Sequence, residues 1–135
     1  MNYDYVIDSY AWIEYFAGSH EGETAREYVE KKNSATPTIV VAELSRKLMR
    51  EVSHGRETIE GRSARLSFLR SSTGIIDLTD EIATLAGEID AERKQMARRW
   101  GLADPVVLAT ARVSNAKVVT GDKHFMDLKE IIFLS

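Results

Sequence analysis

The chain has no cysteine among its 135 residues. Disulfide frameworks, thiolate metal sites and cysteine nucleophiles are therefore excluded, and a reducing cytoplasm fits best. No apolar run approaches the roughly 20 residues of a membrane span. The opening Met1-Asn2-Tyr3-Asp4-Tyr5-Val6-Ile7-Asp8 has neither a basic n-region nor a long apolar h-region, so no signal peptide is expected. No glycine-rich loop of the G-x-x-x-x-G-K-[ST] or G-x-G-x-x-G type is present, which argues against an NTPase or dinucleotide enzyme. There is no internal repeat, low-complexity segment or linker, and the length suits one domain with one core.

Charge is scarce in net terms but unevenly spread. The formal net charge of −3 argues against a generic nucleic-acid coat protein. From Glu43 to Thr73, however, seven Lys/Arg face four Asp/Glu, and from Gly74 to Glu92 there are six acids and no base. A short basic run, Arg93 to Arg99, follows. Such alternation places basic surface beside acidic surface.

Short β-branched runs alternate with helical stretches. Tyr3–Ile7 reads as a buried strand, and Asp8-Ser9 starts a helix that Gly18 ends. Glu21–Lys32 reads as a polar helix. Ala35–Ile39 is a candidate strand whose Pro37 must sit at an edge or an end, because proline donates no ladder hydrogen bond. Val40, Leu44 and Leu48 recur every four residues and predict a helix over Val40–Val52. Another is expected over Glu57–Leu69, then a strand over Gly74–Leu78. Thr79 caps a long helix with Ile82, Leu85, Ala86, Ile89 and Met96 near one stripe, broken at Gly101. Asp104-Pro105 opens a further helix, with proline tolerated in its first turn. Strands follow at Lys117–Thr120 and Ile131–Leu134. This order implies an α/β fold with a central, mostly parallel sheet.

In such sheets ligands bind beyond the carboxyl ends of the strands. Asp8 follows the first strand and Asp122 the strand ending at Thr120. Asp104 starts its helix. Glu43 lies about 60° from Val40 and about 100° from Leu44 around its helix, at the border of the apolar stripe. Singly, each acid has a plain role: Asp8 and Asp104 as helix caps, Asp122 as a turn residue, Glu43 as a solvated charge. Together they describe one carboxylate pocket. Carboxylates brought that close take up protons unless a cation neutralises them. An all-oxygen site with no need of histidine or cysteine favours Mg²⁺ or Mn²⁺ over Zn²⁺. One or two such ions activate a water for in-line attack and neutralise the departing oxygen, which is the chemistry a phosphodiester requires. Arg46, Lys47, Arg50, Arg93, Arg98 and Arg99 are candidates to line a path for such a phosphodiester chain by phosphate contact. His20, His54 and His124 fall in predicted loops or turns and read as surface residues. Trp12 and Trp100 read as core or interface.

Four segments resemble the PIN-domain family, and especially its VapC-type toxin ribonucleases. They are Val6-Ile7-Asp8-Ser9, Val40-Val41-Ala42-Glu43-Leu44, Ala103-Asp104-Pro105-Val106-Val107-Leu108-Ala109-Thr110-Ala111 and Val118-Val119-Thr120-Gly121-Asp122-Lys123-His124-Phe125. The resemblance implies a three-layer α/β/α fold and Mg²⁺- or Mn²⁺-dependent cleavage of RNA. It makes Asp8, Glu43, Asp104 and Asp122 the metal-site acids, with Ser9 and Thr120 as hydroxyl helpers. It implies a homodimer held inactive by a cognate antitoxin peptide that covers the site. The chain departs from the family pattern at Pro105, where a small or apolar helix former is commoner. It departs again at His124, where many members carry another acid; Asp127 is the candidate substitute. The alternatives are a PIN-like nuclease of RNA maturation or decay outside a toxin pair, and a receiver-like regulatory domain with Asp77 as phospho-acceptor. A haloacid-dehalogenase-type phosphatase would want an aspartate where Tyr10 stands.

Overall fold

The computed structural model describes residues 2–94 and 100–135. The chain runs β1 (Tyr5–Ile7), α1 (Ser9–Ala17), α2 (His20–Glu30), β2 (Ser34–Pro37), α3 (Thr38–Ser53) and α4 (Ile59–Ser72). It continues as β3 (Gly74–Ile76), α5 (Asp80–Arg93), α6 (Ala103–Val113), β4 (Lys117–Thr120), a 3₁₀ turn (Lys123–Phe125) and β5 (Ile131–Phe133). The five strands form one sheet in the order β3-β2-β1-β4-β5, and every pair is parallel. Helices cover the sheet in the three-layer α/β/α arrangement expected from the sequence.

Parallel strands need crossover connections, and burial by helices makes their sequences apolar. Val6, Ile7, Val118 and Val119 on the central pair are fully buried. Against them packs α6, in which every residue from Pro105 to Ala111 is buried. Trp12 is fully buried and Trp100 is 2% exposed, so both tryptophans are core residues. A buried polar chain ties the layers: Trp12 Nε1 donates to Thr36 Oγ1 at 3.1 Å, which lies 2.7 Å from Thr73 Oγ1.

Helix punctuation follows local chemistry. Asp8, Ser19, Thr58 and Thr79 accept backbone N–H bonds at the starts of α1, α2, α4 and α5. Gly18 ends α1 at φ 68°, a left-handed conformation that a side chain would strain. Several expectations need correction. The strand expected over Ala35–Ile39 is Ser34–Pro37, because Thr38 and Ile39 already form the first turn of α3. Pro37 ends an interior strand, where its missing N–H costs the ladder nothing beyond the terminus. The strand over Gly74–Leu78 stops at Ile76, and Asp77 is exposed beyond this edge strand. His20 opens α2 rather than lying in a loop. Asp104 is not a helix cap: Leu102 occupies that position without a side-chain bond, and Asp104 is the second residue of α6. Met96, Arg98 and Arg99 lie outside the described residues.

β1 pairs with β2 on one side and β4 on the other, so the chain reverses its direction of travel across the sheet between β1 and β4. That is a topological switch point, where the carboxyl ends of neighbouring strands part to leave a crevice.

Candidate active site

Asp8 directly follows β1 and Thr120 ends β4, the two strands that flank this crevice. Asp8 is only 2% exposed. Its Oδ1 accepts from Ser9 N at 2.8 Å and its Oδ2 from Thr120 Oγ1 at 2.8 Å. The same Thr120 oxygen accepts from Asp122 N at 3.0 Å. One hydroxyl therefore joins the end of β1 to the loop after β4. That loop turns tightly: Asp122 Oδ1 accepts from His124 N at 2.9 Å and caps the 3₁₀ turn.

Asp104 reaches the crevice from the first turn of α6, anchored by its N–H to Gly101 O at 3.2 Å. Oxygen atoms of Asp104 and Asp122 and a ring nitrogen of His124 all lie within 4.8 Å of one another. Glu43, half-buried in the second turn of α3, completes the acidic ring. Asp8 and Glu43 stand outside the tight group of three, but their charges are felt within it. Burial, with Asp104 and Glu43 adding to it, pushes the Asp8 carboxyl up to about 7 against the help of the Thr120 hydroxyl. Burial, then the charges of Asp122 and Glu43, pushes Asp104 up to about 7 as well. Glu43 is raised chiefly by burial, while the Ser9 hydroxyl and Arg46 pull it down.

All four expected acids thus face one crevice, with Ser9 and Thr120 in contact with them. Asp127 does not join them. Both of its oxygens are held by Arg93, at 2.9 and 3.0 Å, and that ion pair lowers its pKa. Arg93 is itself 7% exposed, donates also to His124 O at 2.9 Å and stacks over Trp100 at 4.8 Å. It is a strut between α5 and the site loop, not a surface contact for RNA.

Three residues escaped sequence reasoning. His124, expected as an ordinary surface residue, has Nδ1 3.2 Å from Asp122 Oδ1 and lies in the group of three side chains whose donor atoms are close enough to hold a cation. Tyr10 and Glu21 pack over Gly121, joined by a 2.9 Å hydrogen bond. His124 stands two residues after Asp122, a spacing that could have marked it. Nothing local in the sequence pairs Tyr10 with Glu21.

Two hollows border Glu43. One, of about 260 Å³, runs along α3 and the start of α1. The other, of about 400 Å³, is walled by Ile39, Ala42, Leu102 and Ala103.

A doubly wound sheet with a carboxylate ring at its switch point defines a class of domain suited to hard cations and phosphate esters. The sequence model of the PIN domain matches residues 5–131, and the chain belongs to the PIN-domain family. Its fold is similar to a toxin–antitoxin complex protein from Klebsiella pneumoniae, with 21% identity, TM-score 0.74 and 98% of each chain covered. It is similar to a chain of VapBC2 from Rickettsia felis, solved on promoter DNA, at 20% identity and TM-score 0.73, covering 96% of each. It is similar also to VapC20 of Mycobacterium tuberculosis, described as a sarcin–ricin-loop-cleaving toxin. There the identity is 18% and the TM-score 0.71, with 91% of this chain and 93% of that one covered. No curated protein matches the chain by sequence.

Proposed function

We propose that this PIN domain is a metal-dependent endoribonuclease that hydrolyses RNA phosphodiesters as the toxin of a type II toxin–antitoxin pair. The observation that carries this reading is Asp8, a carboxylate buried at a strand end among Glu43, Asp104 and Asp122. Without a cation such a cluster holds protons at neutral pH, and its oxygen donors fit Mg²⁺ or Mn²⁺. Asp104 and Asp122 would hold the ion, with Asp8 and Glu43 completing the charge balance and His124 at their side. When bound, it would supply Lewis-acid stabilisation of the charge that develops on the phosphodiester, and a water acidic enough to attack near neutral pH.

The chain's own residues have separable tasks. Thr120 holds Asp8 in one orientation and favours its ionised form. Ser9 does the same for Glu43. Arg93 fixes the loop that presents Asp122. The antitoxin would be a small protein that covers the site, and the chain would form a homodimer in the cytoplasm. An exposed aromatic hollow between α1 and α4, lined by Tyr15, Phe16 and Phe68, supports a protein partner. Among the described residues no helix is long and apolar enough to cross a membrane. A nuclease of RNA maturation or decay would use the same site. Co-purification of a small partner from its native host, with return of activity on its removal, distinguishes the toxin.

The test is cleavage of single-stranded RNA. Activity should require Mg²⁺ or Mn²⁺, stop in EDTA and vanish in Asp104→Asn while the circular dichroism spectrum stays that of wild type. Cleavage that survives exhaustive chelation, or wild-type rates in the variant, would overturn the assignment.

A further inference from the structure

A ring of four carboxylates repels the polyanion it is meant to cut, so affinity for the substrate has to come from cations beside the ring. The basic residues near the site do not contribute equally. Arg93 is buried on Asp127. Lys47 lies 3.5 Å from Glu51, which also takes Arg56. Elsewhere Arg26, Arg65 and Arg112 carry carboxylate partners. Arg46 and Arg50 differ: both are exposed, and among the described residues neither has a carboxylate within ion-pair distance.

Both stand on α3, three and seven residues after Glu43, and so on the same side of the helix. At 1.5 Å per residue they lie about 4.5 and 10.5 Å further along the helix axis than Glu43. They line the 260 Å³ groove that Ser9 and Glu43 also line. His54 also lines it, and its Nδ1 donates to the Arg50 carbonyl at 2.8 Å. Four cations and two acids line this groove, against the acids next door. Glu43 lines both this groove and the carboxylate site, so the two form one continuous surface.

We propose that Arg46 and Arg50 form a phosphate-binding subsite that holds the RNA backbone on one side of the scissile bond, leading the strand from the α3 groove onto Glu43. A guanidinium offers a planar fork of donors matched to a phosphate, and neither fork is occupied by a carboxylate. The subsite rests on the nuclease reading above and says which flank of the site the strand follows.

The experiment is fluorescence anisotropy of a labelled, mixed-sequence single-stranded RNA of about 12 nucleotides, in EDTA to prevent turnover, over a series of salt concentrations. Arg46→Gln and Arg50→Gln should each weaken binding on the order of threefold to tenfold at low salt. Each should also reduce the slope of log affinity against log salt by about 0.7, the value for one phosphate contact on a single strand. Arg70→Gln, an exposed arginine on α4, should change neither. If both variants bind like wild type while the wild-type protein binds and cleaves RNA, the subsite is wrong and the nuclease reading stands. Wild-type protein that neither binds nor cleaves RNA with metal present ends both. Arginine variants that lose a protein partner but keep the RNA affinity and slope would assign the groove to that partner and overturn the proposal.

Discussion

The Thr120 hydroxyl donates to Asp8 Oδ2 at 2.8 Å across 112 residues of sequence. It spans the two strands at which the sheet reverses direction, and it is the only side-chain donor to Asp8 among the described hydrogen bonds. The bond favours ionised Asp8 and so opposes the effect of burial. Thr120→Val should therefore raise the Asp8 pKa further. The acid limb of the rate–pH profile should move to higher pH, and kcat should fall. The fold should lose about 1–3 kcal/mol, because Asp8 and the Asp122 N–H each lose a buried partner. Thr120→Ser should restore the profile. A Thr120→Val enzyme with an unshifted acid limb would show that this bond does not tune Asp8.

Without metal, the cluster should make stability depend on pH in an uncommon direction. Asp8 and Asp104 start from 3.8 when unfolded and are pushed to about 7 in the folded chain. Between those values the folded state keeps protons that the unfolded state has released, so stability falls as pH rises through the window and is flat on either side. Thermal melts in EDTA should give Tm declining from about pH 4 to about pH 7 on this account. Asp8→Asn should melt several degrees higher than wild type near pH 8 and alike near pH 4, where Asp8 is already neutral. A metal-free variant less stable than wild type near pH 8 would mean that the ionised carboxylate is well accommodated and needs no cation.

Added cation should reverse that penalty. A ligand present at a hundredfold over its Kd stabilises the folded state by about 2.7 kcal/mol, which for a domain of this size raises Tm by roughly 10 °C. Mg²⁺ or Mn²⁺ should produce such a shift in wild type and a much smaller one in Asp104→Asn. Equal shifts in the two proteins would place the cation elsewhere.

Much of this was legible in the sequence because strands and helices punctuate it with local chemistry. Val6-Ile7 and Val118-Val119-Thr120 are short β-branched runs, and each hands its acid to the next turn. Asp8, Thr79 and Gly18 act where their side chains, or lack of one, require. What failed was decided at a distance. Asp104 reads as a cap before Pro105, yet α6 starts at Ala103 and the carboxylate lies with Asp122 and His124, 18 and 20 residues further on. Arg93 reads as part of a basic surface run, but Trp100 and Asp127 bury it, and neither contact has a local signature. Asp127 reads as a spare site acid because its partner lies 34 residues earlier.

The strut formed by Arg93 and Asp127 gives a test that separates structure from chemistry. Asp127→Ala leaves a nearly buried guanidinium without its counter-charge, with Nε already lacking a partner. Because Asp127 is 46% exposed, water can replace part of the pair, and the loss should be about 1–2 kcal/mol rather than the 3–5 of a fully buried bridge. Tm should fall, but the rise produced by Mn²⁺ should match that of wild type. A selective loss of the metal-dependent rise would return Asp127 to the list of ligands.

Gly121 supplies the last prediction. A Cβ there would lie 2.3 Å from Tyr10 Cε1 and 2.7 Å from Glu21 Oε2, distances that no real contact tolerates. Gly121 also carries the chain from Thr120, which holds Asp8, to Asp122. Gly121→Ala must push the Tyr10 ring outward and break its bond to Glu21, or else displace the loop. Overpacking of this kind costs about 1–3 kcal/mol. The two outcomes separate in a combined mutant. If only the Tyr10 and Glu21 side chains move, Tyr10→Ala with Glu21→Ala removes both clashes, and adding Gly121→Ala to that pair should cost almost nothing in stability or activity. If the loss persists in the triple mutant, the backbone between Thr120 and Asp122 has no room for a side chain, and the geometry of the acidic ring depends on glycine itself.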